Sequence, residues 1–226
     1  CGALATNILS EAIATDKTSR HLPAALRAAL GWWSRYANQA KARTVRLSRN
    51  QKPVYVFTDG SCEDKEAKYP EAGVGAVMYD PADGMCRAVG GTLPDNILEE
   101  FTHSGTKRQV VAQAELFPCW AARVMWADKL ATRPVVHFVD NEGARYNLIK
   151  GSCRNEEAAG IIQSYWEEES KLEACTWVER VPSASNCADG PSRGTKRALE
   201  FFGEGVSVGP YPRDLYDRFL QDWKLT

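Results

Sequence analysis

Three apolar runs, at 53–58, 73–79 and 85–91, follow one another with only turn-like clusters (60–72 and 80–84) between them. That succession predicts three consecutive antiparallel strands. A helical pattern then covers about 108–129, with Val110, Ala114, Phe117, Ala121 and Val124 on one face. The dense run in "RPVVHFVDN" predicts a buried strand at 134–139. Helical patterns follow at about 141–150 and 155–171, "CTWVERV" gives a last strand at 175–181, and a final helix lies near 191–202. The order βββαβααβα describes an α/β chain with a mixed sheet and helices on its faces.

This pattern divides the chain into three parts. Residues 1–52 form a basic helical arm and linker, in which Leu22, Leu26, Ala29, Trp33, Tyr36 and Ala40 recur at helical spacing. Residues 53–202 form the α/β domain, and 203–226 a loop-like tail ending in a short amphipathic piece at 214–223. The first residue is Cys rather than Met, which reads as a piece of something longer. Charge is uneven: residues 1–50 hold eight Lys/Arg against two acids, and the rest 20 against 27, so +6 faces −7. A basic arm beside an acidic domain suits either a polyanionic partner or a solvated helix face.

Composition excludes several classes. At 44% apolar and 25% charged the chain is neither disordered nor fibrous. No apolar run approaches the ~18 residues of a membrane span, and no secretory signal opens the sequence. Seven scattered cysteines without a Cys-x-x-Cys pair, and three separated histidines, do not make a zinc site. They read as reduced thiols of an intracellular protein, cytoplasmic or nuclear.

The informative residues are acids. "VYVFTDGSCED" drives a strand into Asp59 and reads as turning at Gly60-Ser61; "FVDN" ends the strand at 134–139 in Asp140. Taken singly, Asp-Gly is a turn pair and Asp140 a helix cap. Glu115 sits at the edge of the apolar stripe of its helix, three residues before an interior Pro118 that forfeits a bond to the Ala114 carbonyl. Asp189 lies in "VPSASNCADGPSR", after the last strand.

Together these acids follow the order Asp, Glu, Asp, Asp at strand end, helix, strand end and helix start. In that order the chain resembles the ribonuclease H family, specifically domains associated with retroelement reverse transcriptases. "FTDGS" (57–61), "AEL" (114–116) and "FVDN" (138–141) are similar to its strand, helix and strand motifs, and "VPSASNCADGPSR" (181–193) to its closing motif. The resemblance covers about 54–202. The 20–50 helix loosely resembles the segment that joins a reverse transcriptase to its ribonuclease H domain.

The resemblance implies a ribonuclease H-like fold with a five-stranded mixed sheet, three strands antiparallel and then two parallel. It also implies an endoribonuclease that cleaves the RNA strand of RNA/DNA hybrids, leaving a 3′-hydroxyl and a 5′-phosphate. Four converging carboxylates repel one another unless cations neutralise them, and hard oxygen ligands suit two Mg²⁺ ions, or Mn²⁺ in their place. By the family's pattern Asp59 bridges both ions, Glu115 and Asp140 hold the one nearer the leaving group, and Asp189 the one that activates water. Implied substrate contacts are Gly60, Ser61 and Cys62 after Asp59, Asn141 beside Asp140, Arg145, Lys150 and Arg193 near the strand ends, and Asn186 before Asp189. Implied partners are the RNA/DNA hybrid and an adjacent reverse transcriptase domain, with no membrane and no small-molecule cofactor.

Two departures bear on turnover and grip. The loop 183–188 lacks the His that many family members carry, with Asn186 its nearest polar substitute, and 151–174 holds two Lys/Arg against six Glu instead of a basic protrusion. Trp120, Trp126, Trp166 and Trp177 fall within helix or strand patterns and read as core. Competing readings are a transposase or integrase using Asp59, Asp140 and Glu173, an exonuclease of the same superfamily, and a catalytically silent connector. The exonuclease would need Asp-x-Glu on the first strand, where Asp59 is followed by Gly60-Ser61.

Overall fold

The computed structural model describes residues 51–63, 68–102, 110–195, 199–202 and 206–224, with positions 26, 27, 30, 31, 33, 34 and 38 of the arm. Those arm positions are helical. The other positions of the expected arm helix, and the expected linker up to residue 50, lie outside the described residues.

The sheet is built from β1 (Val54–Glu63), β2 (Glu71–Asp80), β3 (Met85–Thr92), β4 (Pro134–Val139), β5 (Cys175–Arg180) and β6 (Val208–Gly209), in the order β5-β4-β1-β2-β3-β6. β1, β2 and β3 are antiparallel, while β4 lies parallel to both β1 and β5. This is the ribonuclease H-like arrangement that the motif order implies, with six strands instead of five. The sixth comes from the tail, where two residues pair in parallel with Ala88 and Val89 of β3.

Helices α1 (Asp95–Thr102), α2 (Val111–Met125), α3 (Ala127–Leu130), α4 (Glu142–Lys150), α5 (Glu156–Leu172), α6 (Asp189–Ser192) and α7 (Arg213–Lys224) complete the fold. β4 shows how alternation places the core: Val135, His137 and Val139 are buried toward the helices, while Pro134, Val136 and Phe138 turn to the opposite face and are half-buried. α2 lies across β1 and β2 and packs on α5. Its Phe117 and Trp120 meet Phe219 of α7 at ring-centre distances of 5.2 and 5.1 Å. Residues of the tail therefore enter the same core as the central helix.

Besides β6, the segments at 95–102 and 191–202 and the residue Trp177 differ from expectation. α1 was not foreseen in the apolar pattern, because only Ile97, Leu98 and Phe101 are buried and they span little more than a turn. The helix near 191–202 is instead α6 followed by a 3₁₀ turn at Leu199–Phe202, with 196–198 outside the described residues. Gly194 at φ 70° ends α6 in the left-handed region, donating its N–H to the Pro191 carbonyl. Trp177 is exposed (68%), since the outer side chains of the edge strand β5 have no helix over them. Trp120 and Trp126 are buried as expected, and Trp166 is half-buried with its Nε1 donating to the Leu148 carbonyl.

Among the described residues no helix is long and apolar enough to cross a membrane. Cysteines 62, 86, 119, 153, 175 and 187 are all free thiols.

Candidate metal centre

β1 does not stop at Asp59. The strand runs on to Glu63, with Asp59 opposite Gly75 and Gly60 opposite Val74 of β2. What does end there is the parallel pairing with β4, whose last register is Thr58 with Val139. Asp59 thus sits where the neighbouring strand gives out, and Asp140 is the next residue of that neighbour. Gly60 makes no turn. A Cβ there would lie 2.4 and 2.5 Å from the carbonyl carbon and oxygen of Ala114, so its hydrogen side chain lets α2 rest directly on the strand. The approach brings Glu115 over β1, and Pro118, which leaves the Ala114 carbonyl without its usual helical donor, lies inside a helix that continues to Met125.

One carboxylate oxygen each from Asp59, Glu115 and Asp140 lies within 4.8 Å of the other two. Asp59 and Glu115 are buried, and Asp140 is half-buried. Burial pushes the Asp59 carboxyl up to about 6; the Ser192 hydroxyl opposes this, and the charges of Asp140 and Asp189 add to it. Burial raises Glu115 further, to about 8, with Asp59 and Asp140 contributing and the Asn141 amide and Gly60 N–H opposing. Glu115 Oε2 and Asp140 Oδ1 are buried with no hydrogen-bond partner.

These features fit a hard divalent cation. The donors are all carboxylates, and ligand oxygens about 2.1–2.4 Å from one ion lie at most about 4–5 Å apart across it. A cation would also satisfy the two orphaned oxygens and remove the mutual repulsion that adds to the effect of burial on both pKa values.

The fourth acid lies beside this trio, not within it. Asp189 opens α6, close enough to act on Asp59 electrostatically, and its Oδ1 accepts a hydrogen bond from Arg193 Nε at 2.8 Å. α6 sits flat on the sheet because Gly75, opposite Asp59, has no side chain: a Cβ there would be 2.5 Å from both the Ala188 carbonyl oxygen and the Ser192 nitrogen. That seat also places Ser192, a residue the sequence pattern did not single out, where its hydroxyl donates to Asp59 Oδ2. "ADGPS" offers no sign of this, since Ser192 reads as one more loop polar residue.

The remaining candidates scatter. Asn141 is part of the centre: its Nδ2 donates to Glu115 Oε1 at 3.2 Å while its Oδ1 caps α4 by accepting from the Ala144 N–H at 3.0 Å. Ser61 Oγ donates to the Ser192 carbonyl at 3.3 Å, and Cys62 packs half-buried against the core. Asn186 is buried, its Nδ2 donating to the Thr58 carbonyl at 3.0 Å and its Oδ1 accepting from the Ala188 N–H at 3.2 Å. Arg145 turns to Glu142, with contacts of 3.0 and 2.7 Å, and Lys150 is exposed in the last turn of α4. Glu173, the acid a transposase-type centre would need, lies just before β5, where Leu172 and Cys175 bond to Thr132 and Arg133 ahead of β4. Asp140 follows the other end of β4, so six residues of strand, roughly 20 Å, part the two.

The sequence matches no protein-family model and no curated protein. In structure the chain is similar to ribonucleases H. Ribonuclease H1 of the archaeon Halobacterium salinarum is 20% identical, with 66% of this chain and 99% of that chain covered and a TM-score of 0.48. The N-terminal ribonuclease H domain of a Mycobacterium tuberculosis protein is 17% identical, over 66% of this chain and 96% of that one, at a TM-score of 0.43. The foamy viral protease–reverse transcriptase is 11% identical with a TM-score of 0.46, and covers 87% of this chain and 28% of its own.

Proposed function

We propose that the chain is a divalent-metal-dependent endonuclease that hydrolyses the RNA strand of RNA/DNA hybrids. The observation that carries this reading is the uncompensated carboxylate trio of Asp59, Glu115 and Asp140, held within 4.8 Å. A structural connector would have no use for three mutually repelling acids, two of them with an orphaned oxygen, whose burial costs free energy. The hybrid as substrate is supported by the motif order Asp59, Glu115, Asp140, Asp189 and its resemblance to the ribonuclease H family.

Asp59, Glu115 and Asp140 would hold the cation, Mg²⁺ or Mn²⁺, and Asp189 would serve a second ion on the α6 side. When bound, such ions neutralise the carboxylates, polarise the scissile phosphate and make a nucleophile of water at neutral pH. The chain's own residues do the rest. Ser192 orients Asp59 through its hydroxyl, and Asn141 orients Glu115 while capping α4. Arg193 is paired with Asp189 but largely exposed (55%), so it can exchange that partner for a substrate phosphate. Gly60, Ser61 and Cys62 line the strand beside the acid. Arg145 reaches phosphate only by leaving Glu142. Neither atom of the Asn186 amide is free to move a proton, and 183–188 has no His, so slow turnover is expected. In this reading the arm joins the domain to a reverse transcriptase, which supplies most of the grip, and weak salt-sensitive binding follows for the chain alone.

The test is cleavage of an end-labelled hybrid in Mg²⁺ or Mn²⁺ by wild type and Asp59→Asn. The reading expects 5′-phosphorylated RNA fragments from wild type and a loss of at least about 100-fold in the variant, on the scale of removing a group that stabilises the transition state. Equal rates in the two, or none in wild type with Mn²⁺, would overturn it.

A further inference from the structure

Beneath the acids runs a string of buried polar groups that cation binding does not use. Thr58, Arg123, His137 and Tyr165 are all fully buried. Arg123 Nη2 donates to the Tyr165 hydroxyl at 2.5 Å and to Thr176 Oγ1 at 2.9 Å. The Tyr165 hydroxyl lies 3.2 Å from His137 Nδ1, and His137 Nε2 lies 2.9 Å from Thr58 Oγ1. Thr58 Oγ1 is 3.2 Å from Cys119 Sγ, and the Cys119 thiol donates to the Glu115 carbonyl at 3.3 Å.

An arginine can only donate, which gives this string a direction. With Arg123 donating to it, the Tyr165 hydroxyl can turn its own hydrogen to Nδ1 of His137, which selects the Nε2–H tautomer of the ring. The ring then carries its own hydrogen on Nε2 and donates to Thr58. The Thr58 hydrogen faces Cys119, and the thiol hydrogen the Glu115 carbonyl. In that arrangement the hydrogens from Arg123 through Tyr165, His137, Thr58 and Cys119 all run toward the acids, and the string closes on the backbone of one of them.

Thr58 is where the acid-bearing segments meet. It precedes Asp59 on β1. Its hydroxyl touches β4 through His137, three residues before Asp140, and α2 through Cys119, one turn after Glu115. Its carbonyl accepts the Asn186 amide from the loop that leads to Asp189. Val54 and Val56 occupy the same buried face of β1, so packing alone would be served by another valine. A buried hydroxyl costs free energy unless it is bonded, and this one is bonded to the neighbours that carry Glu115 and Asp140.

We infer that Thr58 is the positioning residue of the metal centre: its hydroxyl and carbonyl set the separations at which Asp59, Glu115, Asp140 and Asp189 face a cation. The inference rests on the acids being a cation site. Its test is Mn²⁺ binding to the full chain, followed by the resonance signal of free Mn²⁺, for wild type, Thr58→Val, Thr58→Ser, Cys119→Ala and Tyr165→Phe. Thr58→Val should weaken Mn²⁺ by about 10- to 100-fold, the range found when groups that orient metal ligands are lost, and Thr58→Ser should stay within about threefold of wild type. Tyr165→Phe, which cuts the string away from the acids, should lower the melting temperature but leave Mn²⁺ affinity within about threefold. If Thr58→Val does not fold, Cys119→Ala carries the test and should weaken Mn²⁺ by about three- to tenfold. Unchanged affinity in a folded Thr58→Val or in Cys119→Ala, a Thr58→Ser as weak as the valine variant, or an equal loss in Tyr165→Phe would each overturn the inference. Wild type that binds no Mn²⁺ overturns this inference and the cation reading together; wild type that binds, with unaffected variants, removes only the role of Thr58.

Discussion

Asp59 and Asp80 lie on adjacent strands at opposite ends of the sheet, and they are buried alike, 4% and 2% exposed. The chain treats them in opposite ways. Arg133 grips Asp80 with both terminal nitrogens, at 2.6 and 2.9 Å, and the Ala82 N–H adds a third bond at 2.9 Å. Those bonds, the arginine's first, hold the Asp80 carboxyl below its ordinary value. Asp59 has only a serine hydroxyl and a more distant Arg193, and three further acids, Glu115, Asp140 and Asp189, stand against it. Its carboxyl is pushed up instead. One end of the sheet spends its charge on stability; the other holds carboxylates that the fold leaves unpaired, to be balanced by a proton or an added cation, a pattern more common at functional sites than in structural ion pairs.

The largest effect should come from breaking the matched end. Arg133→Met leaves Asp80 buried and unpaired and should destabilise by about 3–5 kcal/mol, read from denaturant unfolding at neutral pH. The pH dependence has a definite sign. Asp80 is lowered in the native state, so its contribution is present above the unfolded carboxylate pKa of about 4 and is lost as pH falls through the native value. The Met variant should therefore lose wild type's sensitivity on that acid limb.

The unmatched end should respond the other way. Glu115 is raised to about 8, so its contribution is fully present below the unfolded value near 4.5 and is lost as pH rises through about 8. Without divalent ions, wild type should weaken between those limits. Glu115→Gln keeps an oxygen for Asn141 and removes the charge. It should be more stable than wild type at pH 8 by on the order of 2 kcal/mol, while losing hybrid cleavage. A destabilised Glu115→Gln at pH 8 would mean that the acids are compensated within the fold.

Smaller again is Asn141→Ala, which removes a helix cap and one contact to Glu115. About 1 kcal/mol of stability should go, with a further rise in the Glu115 pKa visible as an alkaline shift of the pH profile.

Much of this contrast is legible in the sequence, and the reasons for the remainder are physical. Asp59, Glu115 and Asp140 can be found because each sits in a short motif, and the motifs follow one another on β1, on α2 and at the end of β4. The apolar runs at 73–79, 85–91 and 134–139 mark β2, β3 and β4 closely. The run ending at 58 misplaces the end of β1, because Asp-Gly is a turn pair wherever local chemistry decides, and here pairing with β2 decides. Gly60 and Gly75 look like turn residues for the same reason, yet they are places where a helix or a loop touches bare strand. β6 is too short for any periodicity to show. Ser192, Thr58 and His137 matter through partners more than 70 residues away, and no local pattern carries that information.

The most direct test of the contrast is the melting temperature at pH 8 with and without Mg²⁺, for wild type and Asp59→Asn. Mg²⁺ at 100 times its dissociation constant should stabilise wild type by about 2.7 kcal/mol, a shift of several degrees, and leave Asp59→Asn nearly unmoved. An equal shift in both proteins, or none in wild type at any Mg²⁺ or Mn²⁺ concentration tried, would contradict the assignment of Asp59, Glu115 and Asp140 as a cation centre.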